Sequence, residues 1–568
     1  MILFLCLALA LLPKLSIVEA SGAIYIRADG SIEPPTAPIQ PNGTTYTLTG
    51  NISEPIVVER SNIAVDGAGF FVTGSDTENG FNLTAVNNVT ITNAKVSNWQ
   101  FGFFLYTTSN STITNNIMTE NGDGIYMRLS SSNTVSRNNI TNNLHYGIVT
   151  SYHSLNNTFK GNNIRANKDY GMRIWLYSNS NHVIDNNITD NRLYGLWLDA
   201  SSNNTLSGNS IANNSEGIIL YASANQNNIV ANNITSNQYG IDLYAASNDK
   251  FRNNTLTNSI YSIYVHGGSL TNFKHDVDAS NKHDGKPVCY WVDKVNLTVP
   301  ADAGFVALVN CTGITAKNLS LSKNGQGILL AYTRDSRIVE NNIANNEYGI
   351  YLYSSSNNAI YHNSVANNSK QAYVYDSTNT WNDTVEGNQW SDYAGIDFDQ
   401  DGIGDNAYVI DTNNTDNHPL MGKYYTSTVV QNGTEYNIHV VSNSTVRDIA
   451  LLQWLTTPNQ YLQPGQTYIR LSLARETNTT GFCRIAIPRT LLNGSPYIVL
   501  VDWHEVPARE LPESTSSEAY IYFTSQHSEH EAIIIPEFPS IPTLTVLLVL
   551  TTLTVLGLKL LEDRKKFS

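Results

Sequence analysis

The sequence predicts an all-β chain: a parallel β-helix, then an immunoglobulin-like β-sandwich and a C-terminal transmembrane helix. Three observations carry this reading. A phrase led by glycine, typified by Gly-Ile-Asp-Leu-Tyr at 240–244, recurs at Gly102, Gly124, Gly147, Gly171, Gly195, Gly217, Gly240, Gly327 and Gly349, with neighbours 22 to 24 residues apart up to Gly240. A second anchor, the apolar residue of Asn-Asn-Ile, keeps the same period at Ile117, Ile140, Ile164, Ile188, Ile211, Ile234, Leu256, Ile343 and Val365. Beyond residue 424 the repeat stops, and alternating apolar runs continue up to a long uncharged stretch near the C-terminus.

Residues 1–20, an apolar run followed by small residues, read as a secretory signal peptide. Export places the chain that follows outside the cell, where a net charge of −15 leaves no basic stripe for a nucleic-acid partner. Hydrophobic residues at 41% supply a core, and with only 14% charged residues the chain is not disordered. The tyrosines outnumber phenylalanines 32 to 16, which points to rings at a wet surface.

The β-helix is expected over residues 45–390. A period of 22 to 24 residues with alternating apolar positions lacks the 3.6-residue rhythm of helical arrays and is too short for a propeller blade. Each repeat reads as two short strands and two turns, one coil stacked on the next at roughly 4.8 Å. Two places before each Asn-Asn-Ile anchor stands Asn115, Asn138, Asn162, Asn186, Asn209, Asn232, Asn254, Asn341 or Asn363. Stacking predicts that these align in a structural asparagine ladder, each amide bonding those above and below. Residues 262–327 hold about three coils of weaker pattern, in which Cys289 and Cys311 lie 22 residues apart. That spacing allows either a disulfide or an unbonded buried pair. Cys483 alternates with apolar neighbours and is expected in a core.

These coils resemble the NosD-type, or CASH (carbohydrate-binding and sugar hydrolase), family of right-handed β-helices found in archaeal surface proteins. The stretch PIVVERSNIAVDGAGFFVTG (55–74) is similar to that group's opening coil, and GNQWSDYAGIDFDQDGIGDNAYVIDTNNTDNHPLM (387–421) to its closing motif. Before the final apolar run, IPEFPS resembles the PEF-type tail processed by archaeal sortase-like enzymes, which implies a lipid anchor in place of a helix. The family's link to copper-site maturation is not carried over, because five Met and scattered His form no soft-ligand cluster.

Within the closing motif, Asp397, Asp399 and Asp401 take positions 1, 3 and 5 of an EF-hand-like loop. Gly402 follows at 6, Ile403 offers its carbonyl at 7 and Asp405 stands at 9, so structural calcium is the expected cofactor. Position 12 is Tyr408 rather than Glu, with Asp411 nearby. The stretch 424–535 holds five or more alternating strands and reads as an immunoglobulin-like stalk. Residues 541–561 are long and apolar enough to span a bilayer, and 562–568 form a basic cytoplasmic tail.

Side chains between the inward-facing residues of the Gly-led strands point outward. They include Phe104, Tyr106, Tyr126, Trp175, Trp197, Tyr221, Tyr244, Tyr264, Tyr351 and Tyr353, a ribbon of rings suited to the apolar faces of sugars. If the chain is an enzyme, the suspects are Asp199, Asp242 and Arg173 on that face, with Arg128 nearby. Two coils separate the carboxylates, about 10 Å, at the far edge of useful spacing for glycoside chemistry. His275, Asp276, Asp278, His283 and Asp284 form a further polar cluster. Sequons such as those at Asn139, Asn187 and Asn233 invite N-glycosylation of an exported chain.

The functional expectation is a membrane-anchored, extracellular-facing protein that binds polysaccharide or glycoprotein without catalysis. The alternatives are a polysaccharide-active lyase, hydrolase or epimerase, and a purely structural envelope component.

Overall fold

The computed structural model describes residues 22–474, 479–526 and 529–536. The expected signal peptide (1–20), membrane span (541–561) and basic tail lie outside them. Among the described residues no helix is long and apolar enough to cross a membrane. The chain divides into two compact units. One comprises Met1–Thr312, Ser320–Thr333 and Asn345–Ser354; the other comprises Gly313–Leu319, Arg334–Ala344 and Ser355–Ser568.

The first unit winds as a parallel β-helix. Winding starts at Ile24–Ile26, which pairs in parallel with Ile56–Val58, and so begins earlier than the expected residue 45. Each coil carries three strands, where the sequence suggested two. In one coil these are Asp123–Arg128, Thr134–Ser136 and Asn139–Thr141. The two short strands have only three residues each, so a single inward side chain defines each one and no alternation is visible. Nine six-residue strands, from Asn79–Thr84 to Tyr261–His266, stack on three shorter ones to make a wide sheet of twelve.

Inward residues stack by type. Val135, Phe159, Val183, Leu206 and Ile229 form one fully buried column, each such side chain worth about 1.5–3 kcal/mol on burial. The repeated glycine has a local cause. A Cβ on Gly124 would lie 2.6 Å from the carbonyl oxygen of Gly147 in the next coil and 2.6 Å from Cγ2 of Ile140. Only glycine lets adjacent coils approach there.

Among the described residues of this unit, buried asparagine stacks in three columns. In the expected one, Nδ2 of Asn138 donates to Oδ1 of Asn162 (3.0 Å), and Asn162 to Asn186 (2.9 Å). The chain of bonds continues through Asn209, Asn232 and Asn254 to Asn281. The backbone N–H of each asparagine donates to the same acceptor, as Asn162 does to Asn186 at 2.9 Å. Asn115 is not a member. It occupies a turn at φ 56°, and the amide that bonds Asn138 belongs to Asn116. In that coil the Asn-Asn pair sits one residue earlier, so Met118 rather than Ile117 pairs with Ile140 and points inward. A second column runs Asn133, Asn157, Asn181, Asn204, Asn227 and ends on Asp249. A third runs from Asn121 to Asn237.

The winding is interrupted after His266. The chain makes a short helix, Leu270–Phe273, and a hairpin pairing Lys282–His283 with Lys286–Val292. Coiling resumes with Lys286–Val292, which pairs in parallel with Phe305–Val309 and through it with Gln326–Ala331, where the buried Gln326 side chain imitates a peptide group. Its Oε1 accepts from the backbone N–H of Val265 (3.2 Å), and its Nε2 donates to the Val265 carbonyl (2.8 Å). Cys289 faces Val306 in the register, not Cys311, because the excursion shortens the coil. Both cysteines are buried and unbonded.

In the second unit the ladder asparagines Asn341, Asn363 and Asn388 stack at 2.9 Å each and end on Asp416. From Lys423 onward, ten strands form two five-stranded sheets, antiparallel in every pairing, over one core that includes Ile438, Val440, Ile469, Leu471 and Cys483.

Candidate functional site on the wide sheet

The outward face of the wide sheet carries three rows of side chains, set by the parallel register. One row, opening each strand, runs Tyr146, Tyr170, Tyr194, Glu216, Tyr239, Tyr261. The middle row runs Val149, Arg173, Trp197, Ile219, Asp242, Tyr264. The outer row includes Trp175, Asp199, Tyr221, Tyr244, His266. The residues before the glycines were missed as a row in the sequence, although Tyr146, Tyr170, Tyr194, Tyr239 and Tyr348 recur there, with Phe101, Asp123, Glu216 and Gln326 in the other coils. Tyr170 stacks on Tyr146 at 5.0 Å and on Tyr194 at 4.8 Å.

Trp175 and Trp197 stand in different rows, with Arg173 clamped between them. Its guanidinium lies 4.1 Å from one ring centre and 3.9 Å from the other. Arg173 also donates to Asp199 at 2.8 Å, with both side chains largely buried. Tyr221 and Tyr244 stack at 4.9 Å, both edges open to solvent. Tyr264 stacks on His266 (4.3 Å) and Tyr348 (6.1 Å). Tyr351 is only 6% exposed and cannot serve as a docking ring, because its face of the strand is covered there, with the Tyr348 ring packed edge-on at 5.4 Å. Tyr353 is half-buried and packs on Phe273.

Asp199 and Asp242 do not face one another. Each has its own partner, Asp199 the guanidinium of Arg173 and Asp242 the Nε2 of His266 at 2.8 Å. The carboxylate nearest Asp242 in character is Glu216, which occupies a tyrosine position in the opening row. Burial, then repulsion from Asp242, pushes the Glu216 carboxyl up to about 8, and its Oε2 is shielded without a hydrogen-bond partner. Glu347 is raised in the same way, chiefly by burial, while a hydrogen bond from Tyr239 opposes the shift. At the other end of the face, Arg128 lies 4.2 Å over the ring of Tyr152.

The His/Asp group of the excursion is dispersed. His275 is fully buried with Nδ1 3.3 Å from Asp249, while Asp276 and Asp278 pair with Arg252 at 2.6 and 3.0 Å. His283 bonds the Ser322 carbonyl at 2.9 Å, and Asp284 lies 3.5 Å from Lys323. A cavity of about 620 Å³ opens beside them, lined in part by His275, Asp278, Tyr290, Trp291 and Lys294.

In the second unit, Asp397, Asp399 and Asp401 place one carboxylate oxygen each within 4.8 Å of the others. The loop wraps because Asp397 accepts the N–H groups of Asp401 and Gly402 (2.9 Å each), and Gly402 adopts φ 89°. Asp405 is drawn in through the Phe398 N–H (2.5 Å). Ile403 at position 7 is buried and bridged to Leu420, and Asp411 instead accepts from Asn413 (2.8 Å) and Asn414 (2.9 Å). Burial raises Asp401 to about 6, and Asp399 and Asp397 add to this against Arg484.

A family model described as periplasmic copper-binding protein (NosD) matches residues 40–193, 173–287 and 302–395. No curated protein matches the chain in sequence. Among solved structures, the chain is similar to the periplasmic alginate epimerase AlgG, at 16% identity and TM-score 0.32, covering 54% of this chain and 83% of that one. It is also similar to the A-module of the mannuronan C-5 epimerase AlgE4 of Azotobacter vinelandii (16% identity, TM-score 0.32, 59% and 88% covered). A tailspike of E. coli bacteriophage HK620 in complex with pentasaccharide is 11% identical at TM-score 0.36, with 87% and 83% covered.

The donors present do not suit copper, which takes imidazole, thiolate and thioether ligands. Among the described residues, the single group of three or more side chains able to share a metal is the all-oxygen aspartate loop. The thiols of Cys289, Cys311 and Cys483 are buried, and burial raises all three.

Proposed function

Because the chain belongs to the NosD family, we propose that its β-helix is a carbohydrate-binding module, taking polysaccharide or glycoprotein sugars along the outward face of the wide sheet. The observation that carries the reading is the Arg173 clamp. Two tryptophans are held rigidly by one guanidinium, itself fixed by Asp199, beside a stack of tyrosines. Preorganised rings with fixed polar neighbours suit pyranose faces and lose little entropy on binding. The test is a glycan array with the chain and its Trp175→Ala and Trp197→Ala variants. Signals that vanish in both variants support the reading; an array without any retained glycan leaves a structural envelope role ahead.

A second reading, a polysaccharide-active enzyme, is favoured by one feature: Glu216 and Asp242 are neighbouring carboxyls in unlike environments, as acid–base pairs require. Asp199 and Arg173, being paired with each other, are weaker suspects. Release of reducing ends or unsaturated products from a polysaccharide panel tests it.

We further propose that the aspartate loop at Asp397, Asp399 and Asp401 holds structural Ca²⁺, a hard cation matched by its oxygens. The protein is proposed to be exported and tethered outside the membrane, with the strands from Lys423 to Pro536 as an immunoglobulin-like stalk. A fractionation experiment with an antibody to the β-helix tests the location.

A further inference from the structure

We propose that Glu216, as a neutral carboxylic acid, donates a hydrogen bond that selects uncharged saccharides on the ring-lined face. This rests on the carbohydrate reading above and names its ligand class.

The placement of Glu216 is the first support. It breaks a column of tyrosines, sitting between Tyr194 and Tyr239 in the register, so it joins the hydroxyl-bearing edge along which a sugar would lie. Its Oε2 is shielded from solvent and has no partner. An ionised carboxylate in that position would be uncompensated, and burial of a lone charge costs several kcal/mol, so the group stays protonated instead.

Charge on the surrounding surface is the second support. The groups facing Glu216 are the phenols of Tyr170, Tyr194 and Tyr239 and the carboxylate of Asp242. Behind Asp242 stand His266, which is bonded to it, and Glu347. The Arg173 guanidinium on the same face is committed to Asp199. This set holds no Lys or Arg free to neutralise an anionic sugar, and the Asp242 carboxylate repels one. A hydroxyl oxygen, by contrast, can accept from a protonated Glu216 while ring carbons rest on Trp197.

Protonation also sets a pH signature. Glu216 titrates at about 8, so the donor is present at neutral pH and disappears above that value. Affinity for an uncharged oligosaccharide is therefore flat below neutrality and falls in alkali.

The experiment is calorimetric titration of the full chain with matched oligosaccharides. The probes are galactose, mannose and glucose hexamers, with the corresponding uronate hexamers, between pH 6 and 10. At least one neutral hexamer is expected to bind about tenfold more tightly than its uronate partner, a difference a single repelled or unpaired charge can supply. Its affinity should decline above pH 8 in the wild type and stay level in Glu216→Gln, which keeps a donor without an ionisable proton. Asp242→Asn relieves the repulsion and should move the decline to lower pH, an effect that a merely structural role would not produce. Uronate binding as tight as neutral binding, or a decline that persists in Glu216→Gln, overturns the inference while leaving the carbohydrate reading intact. If no hexamer of either kind binds, both fall. Unchanged melting temperatures of the two variants secure the comparison.

Discussion

Asn388 directs both its backbone N–H (2.7 Å) and its side-chain amide (3.3 Å) at the same carboxylate oxygen of Asp416. That pair closes an asparagine column whose amides all donate in one direction, toward the C-terminus. The last member has only to accept, and a carboxylate is a pure acceptor. Asp249 ends the Asn133–Asn227 column in the same way, taking the Asn227 backbone N–H at 2.8 Å.

Replacing this terminal acceptor with its amide isostere is therefore not conservative. Both oxygens of Asp416 accept, one from Asn388 and Trp390 (2.9 Å), the other from the His418 N–H (3.1 Å). Asp416→Asn turns an NH₂ group against one of these donors. A loss of about 1–3 kcal/mol in denaturant unfolding is expected; a variant as stable as the parent would contradict the acceptor assignment.

Column membership can be separated from sequence resemblance at one pair of neighbours. Asn116→Ala takes from the buried Ala94 N–H its acceptor (2.9 Å) and from the Ile91 carbonyl and the Asn138 side-chain oxygen an amide donor (3.0 and 3.2 Å), and should cost roughly 2–4 kcal/mol. Asn115→Gly, at a turn with φ 56°, should change stability by under about 0.5 kcal/mol. Urea unfolding of the two variants decides, and equal effects would mean the register is wrong.

How much could be read in advance follows from what repeats. The period, the inward glycine-led strand and most of one asparagine column were visible because identical residues recur at one spacing. The register of the coil holding Asn115 was misplaced because Asn115 and Asn116 are both asparagine and only backbone conformation distinguishes them. Two other columns escaped notice because serine and aspartate stand in for asparagine at their ends, as at Ser259 and Asp249. Glu216 left one signal, a carboxylate in a tyrosine column, legible once the three outward rows were distinguished. Pairing of Arg173 with Asp199 depends on a diagonal across rows, which spacing along the chain does not reveal.

Acid should loosen the second unit through Glu386. Burial raises its carboxyl, but His362 (3.3 Å) and Arg484 (2.8 Å) overcome this and hold it below the usual glutamate value of 4.5. A depressed acid stabilises the fold above its unfolded value, and that stability is lost as pH falls from about 4.5 through the folded value. Glu386→Gln leaves buried Arg484 without its main counter-charge and should cost about 3–5 kcal/mol at neutral pH. It should also flatten the acid limb of a thermal-melt series, and an unaltered limb would remove Glu386 from the account.

Calcium is expected to stiffen the aspartate loop, which Arg484 and Arg509 already grip through the carbonyls of Asp401 (3.1 Å) and Gln400 (2.7 Å). At a free ion concentration of 100 times Kd, linkage predicts about 2.7 kcal/mol of added stability, abolished by chelator and by Asp399→Ala. A melting curve indifferent to both excludes the ion.

On the wide sheet, Trp197→Ala should weaken sugar binding by about tenfold, since one stacked ring contributes on the order of 1–2 kcal/mol. Arg173→Lys keeps the charge but loses the planar fork and the stack, and should weaken binding without abolishing the fold. Titration calorimetry of both variants checks this, and full affinity in Trp197→Ala would move the ligand elsewhere.

One-way donation along the amide columns has an evolutionary corollary. Every turn offers its successor what it received from its predecessor, so duplicating or deleting a whole turn leaves the bonding grammar intact. A residue added in a turn between strands is absorbed locally, as the unequal steps between bonded ladder asparagines show, whereas one added inside a three-residue strand turns its inward side chain outward. Length in such a protein is free to drift by whole rungs, and the steps between bonded ladder asparagines themselves run from 22 residues (Asn232 to Asn254) to 27 (Asn254 to Asn281).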